Sequence, residues 1–354
     1  MKAWVLHDIG DLRYEDVKEP RLSEKEVLVA VRAAGICGSD IPRAYENGAH
    51  TMPLILGHEF AGEVVNIGAK AERGWNGKRV GIFPLIPCRE CKPCQNKQYE
   101  MCRQYSYLGS RRNGAFAEYV AVPEWNLVEL PDNVSYEEAA MLEPMAVAVH
   151  AMRRVKLTQT DHVVVAGLGT IGMLLVMFLL ERGITNLYVV GNKTFQKETA
   201  MKLGIPEEHY CDSKTEDVRS FVMKYTDGYG ANVFFECVGR NETVAQAIDL
   251  AAPAGEICMV GNPYTDMTLG KDTYWKILRH QLRVTGTWNS SFTGNKAKEE
   301  ALDDWQYVLQ KLEEKKITPE ALITHRFPME QLNQGFRIMR EKTEDYIKVM
   351  GCLS

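Results

Sequence analysis

The first part of the chain contains short segments in which apolar and polar residues alternate. Between residues 26 and 33, apolar side chains recur at alternate positions, which predicts a strand with one buried face. Residues 60–67, 79–83 and 116–122 show a similar pattern, and Gly and Pro separate these segments. So many short strands in residues 1–135 predict a β-barrel or a β-sandwich.

The pattern changes near residue 135. Ser135 and Glu138 have the spacing of a capping box, in which both side chains accept free backbone N–H groups at the start of a helix. We predict a helix from there to about Met141, an interruption at Glu143-Pro144, and a second helix that ends near residue 155.

From residue 162 onward, predicted strands and helices alternate. The predicted strands are 162–166, 187–190, 232–238, 256–260 and 283–287, and the predicted helices are 171–182, 196–203 and 242–252. This alternation predicts an α/β fold with a doubly wound parallel sheet. After residue 289 we predict two helices, 296–314 and 330–339, and a last strand, 346–352.

Residues 163–180 carry no charge and are long enough to span a membrane. Gly167, Gly169 and Gly172 interrupt them with G-x-G-x-x-G spacing, which favours a strand, a tight turn and a buried helix. Such a turn lets the backbone approach a pyrophosphate, and the helix start at Thr170 and Ile171 supplies N–H donors. The alternative is a glycine-rich turn that binds no nucleotide.

The residues after the second strand of this unit bear on cofactor choice. An NAD site usually has an acid there, which binds the ribose 2′-hydroxyl. Here Gly191, Asn192 and Lys193 follow the strand. Because no acid repels a 2′-phosphate and Lys193 can pair with one, we predict that NADP is preferred to NAD. The alternative is that Lys193 is a solvated residue at a helix start and NAD still binds.

The composition restricts the partners. The 354-residue chain has a net charge of −5, which argues against a general nucleic-acid-binding surface. Any anionic ligand must therefore be held by local donors rather than by the field of the whole protein. We predict a small-molecule substrate, with neither nucleic acid nor membrane as a partner.

Four of the nine cysteines lie close together in the sequence. Residues 1–8 lack the apolar stretch of a secretory signal, so we predict a cytoplasmic protein, where clustered cysteines bind metal more often than they form disulfides. Cys88, Cys91, Cys94 and Cys102 have the spacing of a structural zinc site. The alternatives are an iron–sulfur cluster or four unligated thiols.

A second metal site is indicated by dispersed residues, namely Cys37, His58, Glu59 and Glu143, with Ser39 beside Cys37. Each has a separate structural explanation, such as a core cysteine, a buried histidine or a helix cap. Together they offer one soft donor and three harder ones. A catalytic zinc needs three protein ligands and an open position.

These motifs together resemble the zinc-dependent medium-chain alcohol dehydrogenases, the family of alcohol and sorbitol dehydrogenases. The resemblance covers the whole chain and rests on Gly57-His58-Glu59 with Gly62, the four cysteines, Glu143-Pro144 and the dinucleotide turn. It implies a GroES-like β-rich catalytic domain, residues 1–150 and 289–354, around a Rossmann domain, residues 151–288.

The resemblance also implies roles for individual residues. Cys37, His58 and Glu143 would bind the catalytic zinc, and Glu59 would be an alternative or exchanging ligand. Ser39 would begin a proton relay, for which no distal histidine is evident. With the four-cysteine site, the family pattern implies two zinc ions per subunit and a homodimer or homotetramer, with residues 283–287 as a plausible contact.

Several shorter segments resemble the galactitol-1-phosphate 5-dehydrogenase group of this family. They are residues 40–43, 47–50, 109–114, 276–279 and 286–288, and residues 191–193 depart from the group. Adjacent Arg111 and Arg112 could bind a phosphate as a fork, and His50 could bind a substrate hydroxyl. The alternatives are an exposed basic turn, a subunit contact and a structural histidine.

The predicted function is zinc-dependent hydride transfer between a sugar-alcohol phosphate and NAD(P), which gives a ketose phosphate. Other zinc polyol dehydrogenases, acting on sorbitol, ribitol phosphate or arabitol phosphate, and a threonine dehydrogenase are alternatives. A zinc- and nucleotide-binding redox sensor without activity is an alternative of another class.

Overall fold

The computed structural model describes residues 1–294 and 302–353. The chain divides into two compact units, Met1–Ala146 with Ser290–Ser354 and Val147–Asn289. The predicted boundaries, 150/151 and 288/289, lie four residues and one residue from this division. Both ends of the chain therefore belong to the first unit, and the second unit is inserted between them.

The strands, in chain order, are β1 (Lys2–Asp8), β2 (Asp11–Asp16), β3 (Glu26–Ile36), β4 (Leu54–Ile55), β5 (Glu59–Ile67), β6 (Arg79–Ile82), β7 (Leu85–Ile86), β8 (Ser106–Tyr107), β9 (Tyr119–Pro123), β10 (Leu127–Glu129), β11 (Val163–Ala166), β12 (Leu187–Gly191), β13 (Tyr210–Asp212), β14 (Ala231–Glu236), β15 (Ala251–Met259), β16 (Arg283–Gly286), β17 (Ile323–Pro328) and β18 (Lys348–Cys352). The α-helices are α1 (Asp40–Tyr45), α2 (Lys92–Gln95), α3 (Tyr136–Ala140), α4 (Leu142–Arg153), α5 (Thr170–Glu181), α6 (Thr194–Leu203), α7 (Val218–Tyr225), α8 (Asn241–Leu250), α9 (Lys271–Arg279), α10 (Asp304–Glu313) and α11 (Leu332–Glu341).

The largest sheet of the first unit contains strands from both ends of the chain. Its order is β10-β6-β5-β3-β18-β17, and β9 also pairs with β3. Strand β18 runs antiparallel to β3, so the last strand completes a sheet that the first 130 residues begin. Phe60, Phe116 and Phe336 are fully buried in the core of this unit. This core fixes the ends of β3 and β5, where the candidate metal ligands lie.

The second unit is a parallel sheet with the order β13-β12-β11-β14-β15-β16. Residues 163–180 form β11 and most of α5, whose side chains are nearly all buried. In the described part of the chain, no helix is both long and apolar enough to cross a membrane. The β-rich unit and the doubly wound parallel sheet confirm the predicted α/β class.

Several predicted elements differ from the observed ones at their ends. The capping box of Ser135 and Glu138 is present, with both reciprocal hydrogen bonds. Helix α4 begins at Leu142, so Glu143 and Pro144 lie in its first turn, where the missing N–H of proline costs nothing. The predicted helix 242–252 ends at Leu250, because β15 begins at the next residue.

Other elements were not predicted or lie partly outside the described residues. Residues 295–301, where the predicted helix 296–314 begins, are not described, and α10 starts at Asp304. Asp303 caps this helix by accepting the N–H of Gln306. Strand β13 and helices α7 and α9 were not predicted from the sequence, because all three are short and both helices are partly polar.

Candidate active site

Four cysteine sulfurs converge in the segment between β7 and β8, which we call the four-cysteine lobe (residues 88–102). The Sγ–Sγ distances are 4.0 Å from Cys88 to Cys94, 3.5 Å from Cys91 to Cys94 and 3.9 Å from Cys91 to Cys102. Four sulfurs about 2.3 Å from a tetrahedral zinc lie about 3.8 Å from one another. The geometry of the lobe therefore fits a zinc ion with four thiolate ligands.

The surroundings of the lobe affect its thiols differently. Backbone N–H groups donate to sulfur, as from Cys88 to Cys102 Sγ at 3.2 Å. Such bonds lower the pKa of Cys91 to about 6, whereas burial raises the pKa of Cys94 to about 12. A bound cation would favour the thiolate form of all four cysteines.

A second cluster, which we call the Cys37 cluster, contains Cys37, His58 and Glu59. One donor atom from each lies within 4.8 Å of the others. The antiparallel pairing of β3 with β5 sets Gly35 opposite Glu59, which brings the end of one strand to the start of the other. Gly57 has φ +95°, so the chain turns sharply just before His58. Ser39 Oγ donates to Cys37 Sγ at 3.3 Å.

Asp40 connects two parts of this cluster. Its carboxylate is fully buried, accepts the N–H of Cys37 at 3.0 Å and lies 3.5 Å from His58 Nδ1. Arg43 Nη1 donates to the same carboxylate at 2.8 Å. Burial opposes ionisation, but His58 and Arg43 outweigh it and lower the pKa of Asp40. Asp40 can therefore fix the orientation of the His58 ring, as carboxylates do for metal-bound histidines.

A buried lysine from the last strand reaches the same cluster. Lys348 Nζ forms an ion pair with Glu59 and donates to the carbonyl oxygen of Ile36 at 3.2 Å. Its side chain is 1% exposed, and burial alone would lower its pKa, but the charges of Glu59 and Cys37 raise it. The cation offsets the negative charge of the donor set.

Glu143 lies beside the cluster and is held by a tyrosine. Tyr107 Oη donates to Glu143 Oε1 at 3.1 Å, and the ring of Tyr107 packs edge-on against His58 with centroids 5.8 Å apart. Burial raises the pKa of Glu143 to about 7, although the charge of His58 opposes this. Burial and the Glu143 charge raise the pKa of Tyr107 well above its usual value, so its hydroxyl stays a donor.

The predicted cofactor residues lie at the ends of β11 and β12. Gly167 has φ +97°, and a Cβ on Gly172 would collide with the carbonyl oxygen of Gly167, so both positions require glycine. Gln196 links the two turns, because its Nε2 donates to the carbonyl of Leu168 and its Oε1 accepts the N–H of Asn192. These turns can present backbone N–H groups to a pyrophosphate.

The polar groups at the end of β12 are neutral or cationic. Asn192 and Lys193 follow Gly191 there, and Tyr210 Oη donates to the carbonyl of Lys193 at 3.0 Å. A Cβ on Gly191 would lie against Tyr210 Oη. The turn 191–193 itself carries no carboxylate, and the nearest acid in the strand pairing is Asp212 of β13, which lies opposite Gly191.

The two adjacent arginines do not form one fork. Arg112 Nη2 donates to Glu26 at 2.6 Å, and Arg112 lines a cavity of 410 Å³ whose wall includes none of the Cys37-cluster residues. Arg111 is exposed and stacks over the ring of Tyr105 at 4.6 Å. Partial burial lowers the pKa of His50, and the charges of Arg111 and Arg43 lower it further. His50 thus lies within the field of Arg111, whereas Arg112 is bound elsewhere.

Known proteins match this chain over nearly its full length. The family described as "Alcohol dehydrogenase GroES-like domain" matches residues 23–132, and "Zinc-binding dehydrogenase" matches residues 170–313. The galactitol 1-phosphate 5-dehydrogenase of Escherichia coli K12 is 30% identical over 95% of this chain and 96% of its own. The crystal structure of galactitol-1-phosphate dehydrogenase from Escherichia coli superposes with a TM-score of 0.91, and all of both chains is covered.

Two further comparisons widen the range of relatives. A sorbitol dehydrogenase of Halalkalibacterium halodurans is 30% identical over 99% of this chain and 98% of its own. A zinc-binding dehydrogenase of Sinorhizobium meliloti, bound to NADP, is 26% identical, has a TM-score of 0.88, and is matched over 99% of both chains. The chain belongs to the zinc-dependent medium-chain dehydrogenases. It is an NAD(P)-dependent zinc alcohol or polyol dehydrogenase, so the alternative of an inactive redox sensor is set aside.

In this medium-chain dehydrogenase, the two candidate glutamate ligands have different neighbours. The resemblance implies Glu143 as a zinc ligand and Glu59 as an alternative. The structure brings Glu59, rather than Glu143, together with Cys37 and His58, and holds Glu143 on Tyr107. The physical reason is that strand pairing fixes Glu59 directly beside the Cys37 segment, whereas Glu143 comes from the first turn of a separate helix.

The dehydrogenase site also contains residues that sequence reasoning missed, namely Asp40, Arg43, Tyr107 and Lys348. A local signal for Asp40 exists, since it follows Cys37 by three residues in a turn whose N–H it accepts. Lys348 gives no such signal, because its contact with Ile36 spans 312 residues of sequence. The missed residues surround the predicted donors and orient or neutralise them.

Proposed function

We propose that this dehydrogenase oxidises a secondary hydroxyl of a sugar-alcohol phosphate to a ketone, with NADP as the preferred hydride acceptor. The observation that carries the proposal is the cluster of Cys37, His58 and Glu59, in which three donors of a catalytic zinc set lie within 4.8 Å. The lobe of four cysteines would hold a second zinc with a structural role.

The chemistry divides between the metal and the chain. A zinc ion held by Cys37, His58 and Glu59 would supply Lewis acidity that lowers the pKa of a substrate hydroxyl. Ser39 Oγ, which donates to Cys37 Sγ at 3.3 Å, would begin a proton relay, taking the hydroxyl proton as it passes its own proton to the next acceptor. Asp40 holds the His58 ring, and Tyr107 holds Glu143 as a further acceptor. A nicotinamide cofactor bound at the turns after β11 and β12 would supply the acceptor for the hydride of the substrate C–H bond, and the oxidised carbon would become a ketone.

The choice of a phosphorylated substrate rests on two supports. One is the Escherichia coli relative, whose name specifies galactitol 1-phosphate. The other is the pair of His50 and Arg111, predicted to bind the substrate, where the charge of Arg111 contributes to the lowered pKa of His50. A sorbitol dehydrogenase is also 30% identical, so an unphosphorylated polyol is the competing substrate class. Arg112 is not proposed as a phosphate ligand, because it lines a cavity whose wall includes none of the Cys37-cluster residues.

The choice of NADP rests on the end of β12. Gly191, Asn192 and Lys193 lack the acid that would bind an NAD ribose and repel a 2′-phosphate. The Sinorhizobium meliloti dehydrogenase with the same fold is bound to NADP.

We also propose that the protein is cytoplasmic and forms a homodimer or homotetramer. Strand β16 is at the edge of the parallel sheet, and Val284 on it is 43% exposed. Trp275 on α9 is 55% exposed. An unpaired edge strand with exposed apolar side chains can pair with the same strand of a second copy.

The proposal is tested by kcat/KM for galactitol 1-phosphate, D-arabitol phosphate, sorbitol and threonine, each with NAD and NADP. We expect the highest value for a phosphorylated polyol with NADP, and about two zinc ions per chain by elemental analysis. A higher kcat/KM with NAD than with NADP would refute the cofactor preference. A higher value for sorbitol than for either phosphate would refute the phosphorylated substrate.

A further inference from the structure

The geometry points to Arg43, Arg111 and His50 as the binding site for the phosphate group of the substrate. This inference rests on the proposed phosphorylated substrate and identifies its second cation as Arg43, not Arg112. The two guanidinium groups come from different segments, one from α1 and one from the turn after β8.

Arg112, which is adjacent to Arg111 in the sequence, is bound to Glu26. Its bond to Glu26 is 2.6 Å long, and this carboxylate is 8% exposed. Burial would raise the pKa of Glu26, but bonds from Ser23 and Arg112 lower it, so the pair is ionic. Arg112 also lines a cavity whose wall includes none of the Cys37-cluster residues, so we do not place the substrate phosphate on this guanidinium.

Arg111 is connected to the Cys37 cluster through a row of two aromatic rings. Its guanidinium lies over the Tyr105 ring at 4.6 Å, the Tyr105 and Tyr107 centroids are 6.2 Å apart, and Tyr107 packs against His58. Within residues 1–294 and 302–353, no carboxylate forms an ion pair with Arg111. Stacking on an aromatic ring leaves the edge donors of a guanidinium available for an anion.

Arg43 is connected to His58 through the carboxylate of Asp40. Arg43 Nη1 is 2.8 Å from Asp40 Oδ1, and the same oxygen is 3.5 Å from His58 Nδ1. A guanidinium has five N–H donors, so the bond to Asp40 leaves donors for a second anion. One side chain, Asp40, therefore separates Arg43 from His58, and two side chains, Tyr105 and Tyr107, separate Arg111 from it.

His50 is affected by the charges of both arginines, Arg111 and Arg43. The charges of Arg111 and Arg43 both act on this exposed ring, after the effect of partial burial. A neutral imidazole adds one N–H donor without a charge of its own. Two guanidinium groups and an imidazole suit a phosphate dianion, which has several acceptor oxygens. In a chain of net charge −5, such a local cluster is what an anionic substrate needs.

The test compares galactitol 1-phosphate with galactitol in the zinc-loaded enzyme. Arg111→Gln should raise KM for the phosphate about 10- to 100-fold and leave kcat/KM for galactitol within about twofold. Arg43→Gln should lower the ratio of the two kcat/KM values by a similar factor, whatever its effect through Asp40 on both substrates. Arg112→Gln, in which the neighbouring guanidinium is removed instead, should leave the ratio unchanged.

Inorganic phosphate provides a second readout, as a competitive inhibitor of galactitol oxidation. Its Ki should rise about 10-fold or more in Arg111→Gln and Arg43→Gln, which a purely structural role for either arginine would not produce. If the wild type does not favour the phosphorylated polyol, the proposed function fails. If it does, but both variants keep the wild-type ratio, or only Arg112→Gln loses it, this phosphate site is wrong while the proposed function stands.

Discussion

The four-cysteine lobe and the Cys37 cluster lie in the same unit but are built in different ways. The lobe takes every donor from residues 88–102, and its sulfurs are fixed by local turns and by backbone N–H groups. The Cys37 cluster takes its donors from the facing ends of β3 and β5, and it depends on Lys348 from the other end of the chain. One site is local in sequence, and the other exists only in the folded sheet.

Under the proposed function, this difference separates a structural zinc site from a catalytic one. Four thiolates fill a tetrahedral zinc and leave no position for substrate. Three donors of mixed type, with a serine hydroxyl 3.3 Å from the sulfur, leave one position open. The residues buried around the Cys37 cluster also fit a site with an open position, since Asp40 and Lys348 orient or neutralise its donors. We therefore expect damage to the cluster to affect turnover and damage to the lobe to affect stability.

The largest expected effect is on turnover. His58→Ala removes a donor from the Cys37 cluster, and we expect kcat/KM to fall about 10,000-fold, or about 5.4 kcal/mol. The circular dichroism spectrum should be unchanged, because the lobe and the core remain intact. Steady-state kinetics measure the fall in kcat/KM. Zinc analysis should find about one zinc ion left per chain.

The matched control is His7→Ala, which removes a histidine of the same unit that pairs with Glu15 outside both metal clusters. It should keep turnover within about twofold, because surface pairs contribute little. Turnover of His58→Ala within tenfold of the wild type would contradict a catalytic role for the Cys37 cluster.

The next effect is on stability. Cys94→Ser removes a buried sulfur of the lobe, and we expect a loss of about 4 kcal/mol in the free energy of unfolding, because the zinc no longer ties the segment together. The folded fraction should keep kcat/KM within about threefold of the wild type. Thermal unfolding, zinc content and kinetics on the same sample test both statements.

Cys211→Ala is the control for that variant, since Cys211 is also fully buried but lies in β13 of the other unit. This substitution should lower the free energy of unfolding by about 1 kcal/mol and release no zinc. If Cys94→Ser abolishes turnover of folded protein and leaves stability unchanged, the lobe and the cluster do not divide their roles in this way.

The same contrast determines how much could be predicted from sequence. The lobe follows from spacing alone, because four cysteines within fifteen residues can reach one ion. The central strands β11 and β12 were also predictable, since buried parallel strands are uninterrupted runs of apolar residues. Strand β13 and helix α9 were not, because a three-residue strand and a helix with no fully buried residue carry little periodic signal.

The Cys37 cluster was less predictable in its details. The resemblance supplied Cys37 and His58, but the choice between Glu59 and Glu143 depends on the register of β3 against β5. A one-residue shift of a strand reverses which side chains face the cluster, and no local pattern sets that register. Lys348 could be placed only once β18 was known to pair with β3.

The smallest expected effect concerns the support around the open site. Tyr107→Phe removes the hydroxyl that donates to Glu143 but keeps the ring against His58. We expect kcat/KM to fall about 10-fold, or about 1.4 kcal/mol, with both zinc ions retained, because a buried acceptor loses its donor. Tyr105→Phe, which removes a neighbouring hydroxyl and keeps the ring beneath Arg111, should change kcat/KM less than twofold.

The pH dependence of the same variant shows whether Glu143 acts as a carboxylate. Burial raises the pKa of Glu143 to about 7, and the Tyr107 bond holds it lower than burial alone would. Without that bond the pKa rises further, so a higher pH is needed to form the carboxylate. The acidic limb of the pH profile of kcat/KM should therefore shift upward in Tyr107→Phe and stay in place in Tyr105→Phe. An unshifted limb in both variants would mean that turnover does not depend on ionised Glu143, and the support of the open site would then come from the Tyr107 ring alone.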